Sequence, residues 1–104
     1  MLFFIYRIDK PGAVELRAAN RPAHLEYAKS LGSRLRLAGP TLDEAGETMN
    51  GSVFILEAAD RADAEAITAE DPYEKADLFE SKIIRPYMEV QPWGLAAETA
   101  SGEG

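Results

Sequence analysis

Leu2-Phe3-Phe4-Ile5-Tyr6-Arg7-Ile8 is apolar on both of its alternating faces, the pattern of a central strand covered on two sides. Pro11-Gly12 ends it. Val14, Leu16, Ala18 and Ala19 suggest a short helical turn up to Asn20. A second helix is expected from Pro22 to Leu31, because proline suits the first turn of a helix and Gly32 supplies a stop. Leu25, Ala28 and Leu31 form its apolar stripe. Leu35, Leu37 and Ala38 then make a short second strand before Gly39-Pro40. The acidic turn Asp43-Glu44-Ala45-Gly46-Glu47 leads into a returning strand from Thr48 to Ala58, centred on Val53-Phe54-Ile55-Leu56.

Further along, Asp60 is placed to cap a helix whose inward residues are expected to be Ala62, Ala66, Ile67 and Ala69. Asp71-Pro72-Tyr73 interrupts that helix and starts another, with Asp71 as N-cap, Pro72 at N1, and Leu78 and Phe79 as the next apolar anchors. A last strand runs from Ile83 to Val90, and Pro86 assigns it to an edge or a bulge. The order is β-α-β-β-α-β. Right-handed crossovers turn that order into an α+β ferredoxin-like plait, a four-stranded antiparallel sheet with helices on one face. The bare face needs a cover, and a second subunit packed sheet to sheet would supply it and create a cavity between the sheets or at their rims. Residues 1–93 read as the domain, and 94–104, small and acidic, as a disordered tail.

With 104 residues and 46% apolar content the chain can bury one core, and a homodimer interface would add useful stability. A formal charge of −7 argues against nucleic acid and anionic membranes, whose binding needs clustered Lys and Arg. There is no cysteine for a disulfide framework, and the first apolar run is too short for a secretory or membrane segment, so the expectation is a soluble cytoplasmic protein. A lone histidine without cysteine does not build the usual zinc sites, and Asp43, Glu44 and Glu47 lack calcium-loop spacing, so no metal is expected. Without a glycine-rich phosphate loop or a nucleophile elbow, ATP, NAD and serine-hydrolase chemistry are disfavoured and no cofactor is expected.

The single histidine, His24, lies in Arg21-Pro22-Ala23-His24-Leu25. If Pro22 opens a helix, the imidazole sits near the helix start, where the partial positive charge disfavours imidazolium and leaves a proton acceptor near neutral pH. The bland alternative is core or surface filler. Arg21, one turn earlier, either holds a substrate carboxylate in a fork or pairs with a surface acid. Ser52, after Gly51, is either a turn residue or a hydrogen-bond donor to a substrate. Tyr73 lines a pocket or packs on the sheet, and Tyr87 and Trp93 suit a dimer interface or a pocket wall. Arg34, Arg36 and Arg85 read as solvated strand residues.

Taken together, the early apolar strand, Arg21-Pro22-Ala23-His24-Leu25, Gly39-Pro40, Gly51-Ser52, Asp71-Pro72-Tyr73 and Ile84-Arg85-Pro86-Tyr87 resemble the YciI-like (YCII-related) family of small α+β proteins over roughly residues 1–92. The resemblance implies a ferredoxin-like dimeric α/β-barrel, similar also to muconolactone isomerases, with a His-Asp pair in a pocket. It implies dehydrochlorinase chemistry on chlorinated aromatic breakdown products in some relatives. By motif the family histidine falls on His24 and the aspartate on Asp71. Such a pair has a definite chemistry: the carboxylate fixes the imidazole tautomer and stabilises the imidazolium formed when the other ring nitrogen takes a proton. Asp71 as a simple helix cap remains the competing reading, and one carboxylate can serve both roles. The function expected is a small cofactor-independent lyase or isomerase acting on a small acid or lactone, aromatic-derived in the nearest analogy. The alternatives are a dimeric small-ligand-binding or accessory module without catalysis, and a purely structural dimer.

Overall fold

The computed structural model describes residues 1–90, so the expectations for Trp93 and for the 94–104 tail lie outside the described residues. The elements are β1 (Leu2–Asp9), α1 (Val14–Ser30), a single 3-10 turn at Gly32–Arg34, β2 (Leu35–Leu42), β3 (Met49–Glu57), α2 (Arg61–Ala69), the short α3 (Pro72–Lys75) and β4 (Phe79–Tyr87). The strands form one sheet in the order β2-β3-β1-β4, antiparallel at every pairing. This is the ferredoxin-like plait, with β1 central, as its two-sided apolar pattern requires.

Phe3 and Ile5 of β1, Phe54 and Leu56 of β3 and Ile84 of β4 pack with Leu31 at the end of α1 and Ala64 of α2 in the main core. Fully burying each large apolar side chain is worth about 1.5–3 kcal/mol, so this layer supplies much of the driving force. A smaller cluster joins Ala13, Tyr73 and Leu78. The opposite sheet face carries Phe4, Tyr6, Val53, Ile55, Leu37, Ile83 and Tyr87 in register, with Leu37 55% exposed. None of the described helices is long and apolar enough to cross a membrane.

Several local expectations are corrected. One continuous helix runs through Pro22, which therefore lies inside α1 and does not open it. An interior proline costs about 3 kcal/mol; the helix nonetheless continues, and Arg17 and His24, two turns apart, are buried on one face of it. His24 is thus remote from the helix start, and the dipole argument for its neutrality falls. The buried face of α1 is Arg17 and His24 in place of a Leu25 stripe, Leu25 being exposed. In α2 the buried residues are Ala64 and Thr68, with Ile67 packed against the core; Ala62 and Ala66 face solvent. Strand β2 continues through Gly39-Pro40 to Leu42, because at a sheet edge the missing proline N–H leaves no ladder bond unmade.

Strand β4 begins at Phe79, four residues earlier than expected. Asp77 adopts φ 60° and closes α3 with a Schellman pair of bonds, Asp77 N–H to Glu74 O and Leu78 N–H to Tyr73 O, which turns the chain back at once. Two expectations hold in detail: the Asp60 carboxylate accepts from Asp63 N–H at the start of α2, and β4 with Pro86 is an edge strand.

Gly51 is the tightest point of the sheet. A Cβ there would collide with Thr41 Oγ1 and approach the Arg7 carbonyl oxygen to 2.9 Å. Gly51→Ala should destabilise the protein by about 1–3 kcal/mol through overpacking, read as a lowered midpoint in urea unfolding with an unchanged slope.

Candidate active site

His24 on α1 and Asp71 at the N-cap of α3 are brought together, although far apart in sequence. The imidazole Nδ1 lies 2.9 and 3.0 Å from the two Asp71 carboxylate oxygens. Asp71 does cap its helix, accepting from Tyr73 N–H at 2.9 Å, so the two readings of this residue are both met. Its Oδ2 also lies 2.9 Å from Arg7 Nη2 on β1, an ion pair in which neither side chain is exposed. Burial by itself would raise the Asp71 carboxyl, but the His24 hydrogen bond, the Arg7 charge and the Tyr73 N–H together hold it below the usual carboxylate range. An ionised carboxylate is acceptor-only, so Nδ1 carries the shared hydrogen, and Nε2 is the position at which a proton is taken up or released.

The ring is held by its neighbours. Tyr73 stacks on it with centroids 4.0 Å apart and planes 13° off parallel, and Phe54 lies beyond at 6.0 Å. Tyr73 is held in turn by Arg17, whose Nη1 donates to the Tyr73 hydroxyl at 3.3 Å. Arg17 makes a fork onto Asp9 at 2.7 and 2.9 Å and donates to Gly51 O at 2.8 Å. Burial, opposed by the positive charges of Arg17 and Arg21, raises the Tyr73 hydroxyl above its ordinary value, so it remains a phenol at neutral pH.

A cavity of about 170 Å³ between α1 and the β2–β3 pair is lined by Arg17, Arg21, His24, Pro40, Ser52 and Tyr73 among others. All the candidate residues except Asp71 thus border one space, and Asp71 lies behind His24. Ser52 is buried within β3, not in a turn, and its Oγ accepts from Arg7 Nη2 at 3.3 Å. Arg21 forms no salt bridge among the described residues. A larger hollow of about 240 Å³ beside Asp9 to Val14 borders no His-carboxylate contact, and Asp9 there is committed to Arg17.

Arg7, Asp9, Arg17 and Glu74 were not singled out from the sequence. Two signals were available: β1 alternation sets Arg7 in the inward row with Phe3 and Ile5, and Arg17 stands seven residues before His24, on the same helix face.

A ferredoxin-like sheet, a long helix crossing it and a buried histidine–carboxylate contact beside a small cavity define a class of small α+β proteins. Within that class, this chain belongs to the YCII-related domain family, whose sequence model matches residues 1–88. It is 34% identical over 97 residues to protein YciI of Escherichia coli O6:H1, covering 86% of this chain and 99% of that protein. The structure is similar to that of 5-chloro-2-hydroxyhydroquinone dehydrochlorinase (TftG) from Burkholderia phenoliruptrix AC1100, solved with 2,5-dihydroxybenzoquinone: TM-score 0.80, 36% identity, 85% of this chain and 94% of that one. Rv0793 from Mycobacterium tuberculosis shares the fold alone, at TM-score 0.52 and 12% identity, covering 86% and 97% of the two chains.

The Asp71 environment makes stability depend on acid. The folded carboxyl lies below its unfolded value of about 3.9, so its contribution is complete above that value and is lost as pH falls through the folded one. Asp71→Asn should cost about 3 kcal/mol at neutral pH by leaving Arg7 short of a buried partner. The variant's stability should then fall less steeply with acid than the wild type's in urea titrations across that range.

Proposed function

We propose that the protein is a cofactor-independent lyase that eliminates a leaving group from a small hydroxylated ring compound, with His24 as general base and Asp71 as its orienter. The observation that carries the reading is the His24–Asp71 contact of 2.9 Å at the wall of a cavity. The 36% identity to a dehydrochlorinase supports the reaction class. A carbonyl- or phenol-activated proton of the substrate passes to Nε2, and the electron pair it releases expels chloride or an equivalent anion. The imidazolium, stabilised by Asp71, then returns its proton to water.

The remaining cavity residues act on binding. Arg21, without an ion pair of its own among the described residues, supplies a cation for an anionic oxygen of the substrate. Ser52 receives a hydrogen bond from Arg7 and keeps its own O–H to donate, and Tyr73 holds the imidazole plane. A second copy of the chain covering the Phe4, Tyr6, Ile55 and Ile83 face completes the assembly as a homodimer, because an exposed apolar sheet of this kind is unstable in water. Light scattering should give twice the chain mass; a monomer at micromolar concentration would remove that part of the reading.

The deciding experiment is turnover of a panel of chlorinated hydroxyhydroquinones and enol-lactones, followed by chloride release and absorbance. His24→Ala should lower kcat/KM by at least about 100-fold with an unchanged circular dichroism spectrum. Arg21→Ala should raise KM about tenfold, the loss of about 1.4 kcal/mol, and leave kcat within a factor of a few. If wild type turns over nothing in the panel, yet His24→Gln binds the same compounds as tightly as wild type, the site is a binding pocket and the catalytic reading is wrong.

A further inference from the structure

Arg7 stands in the core-facing row of β1 after Phe3 and Ile5, and its side chain has no solvent exposure. An apolar residue of similar volume is the default there, since desolvating a guanidinium is repaid by ion pairing only when the geometry is very good. The guanidinium is held by its ends and its faces, while its Nε is buried without a hydrogen-bond partner. Its Cζ sits between the Phe54 and Phe79 rings at 4.7 Å from each. The fork is aimed outward, with Nη1 donating to Glu74 at 2.8 Å and Nη2 lying 2.9 Å from Asp71 Oδ2. That same oxygen is 3.0 Å from His24 Nδ1. Packing does not account for a residue held this way, whereas control of Asp71 does.

We infer that Arg7 is a positioning residue for the His24–Asp71 pair: it anchors the carboxylate from the far side and offsets its charge, which weakens the hold of Asp71 on a proton at His24. The functional meaning rests on His24 acting as the base, but the electrostatic content stands without it.

The charges facing His24 come from every element around it. Arg7 is on β1, Asp71 and Glu74 on α3, and Lys82 on β4, where its Nζ lies 2.9 Å from Glu74 and 3.4 Å from Glu65 of α2. On α1 itself Arg17 is neutralised by Asp9, Arg21 adds a cation at the cavity, and Tyr27 is uncharged, its hydroxyl pushed up to about 12 by burial and donating to Ile67 O. Ser52 of β3 and Tyr73 are neutral. Arg7 and Lys82 thus offset Asp71 and Glu74, with the more exposed Glu65 at the outer side of Lys82. Without the Arg7 guanidinium, Asp71 and Glu74 would be left with Lys82, itself shared with Glu65, and a positive charge on His24 would be favoured.

The sequence holds one histidine, so its ring protons report the effect directly. In an NMR pH titration of the full chain, the His24 midpoint in Arg7→Met should rise by about one unit relative to wild type. Arg7→Lys should bring it back toward the wild-type position, and Glu74→Gln should move it the opposite way, downward. A lowered melting temperature in Arg7→Met with an unmoved midpoint would make Arg7 purely structural, as would a rise of the same size in Arg7→Lys. Should Arg7→Met fail to fold, Glu74→Gln decides by itself, and an unmoved midpoint there overturns the inference. Absence of turnover in the wild type would sink the lyase reading and leave these shifts as they are, so the two outcomes are separable.

Discussion

A single buried carboxylate ties three elements of this protein to one point. Asp71 receives Tyr73 N–H at the start of α3, His24 Nδ1 from α1 and the Arg7 guanidinium from β1. Each donor comes from a different part of the chain, and the side chain has no exposure through which water could substitute. A buried carboxylate so placed is stable only while its partners stay in position, because an unpaired buried charge costs several kcal/mol. The position of α1 across the sheet, the angle of the short α3 and the inward arginine of β1 are therefore linked through one residue.

The surrounding aromatic and cationic groups convert that link into a shaped site. Tyr73 stacks on the imidazole, Arg17 holds the Tyr73 hydroxyl, and Asp9 holds Arg17. All of these side chains stand on strands and helices or immediately beside them, and such elements keep a catalytic geometry more closely than a mobile loop does. The cavity is modest, about 170 Å³, and its wall mixes apolar surface with Arg21, Ser52 and His24.

Much of the fold was readable because its elements obey local rules. The two-sided apolar run of β1 placed it centrally, Asp60 and Asp71 announced the starts of α2 and α3, and the acidic turn around Asp43 marked the hairpin, where the Asp43 carboxylate accepts from Glu47 and Thr48 N–H. Boundaries failed where packing overrode those rules. Pro22 reads as a helix start, yet α1 runs through it and keeps Arg17 and His24 on one buried face. Gly39-Pro40 reads as a strand end, yet it continues an edge strand whose outer bonds face water.

By itself, the sequence determined the order of elements, the antiparallel plait, the location of His24 and Asp71 within recognisable motifs, and the negative charge that disfavours polyanion partners. Periodicity, capping residues and composition are local properties, and neighbouring residues are enough to reveal them. The tertiary structure alone decided that the two residues touch, that Ser52 lines the same cavity as His24, and that Arg7, Arg17, Asp9 and Glu74 surround them. Apart from Arg17–Asp9, eight positions apart, those are contacts between residues tens of positions apart, set by sheet register and helix placement. An arginine in an alternating strand has the same letter whether it meets water or a carboxylate; only the fold brings Asp71 to Arg7 and makes the difference.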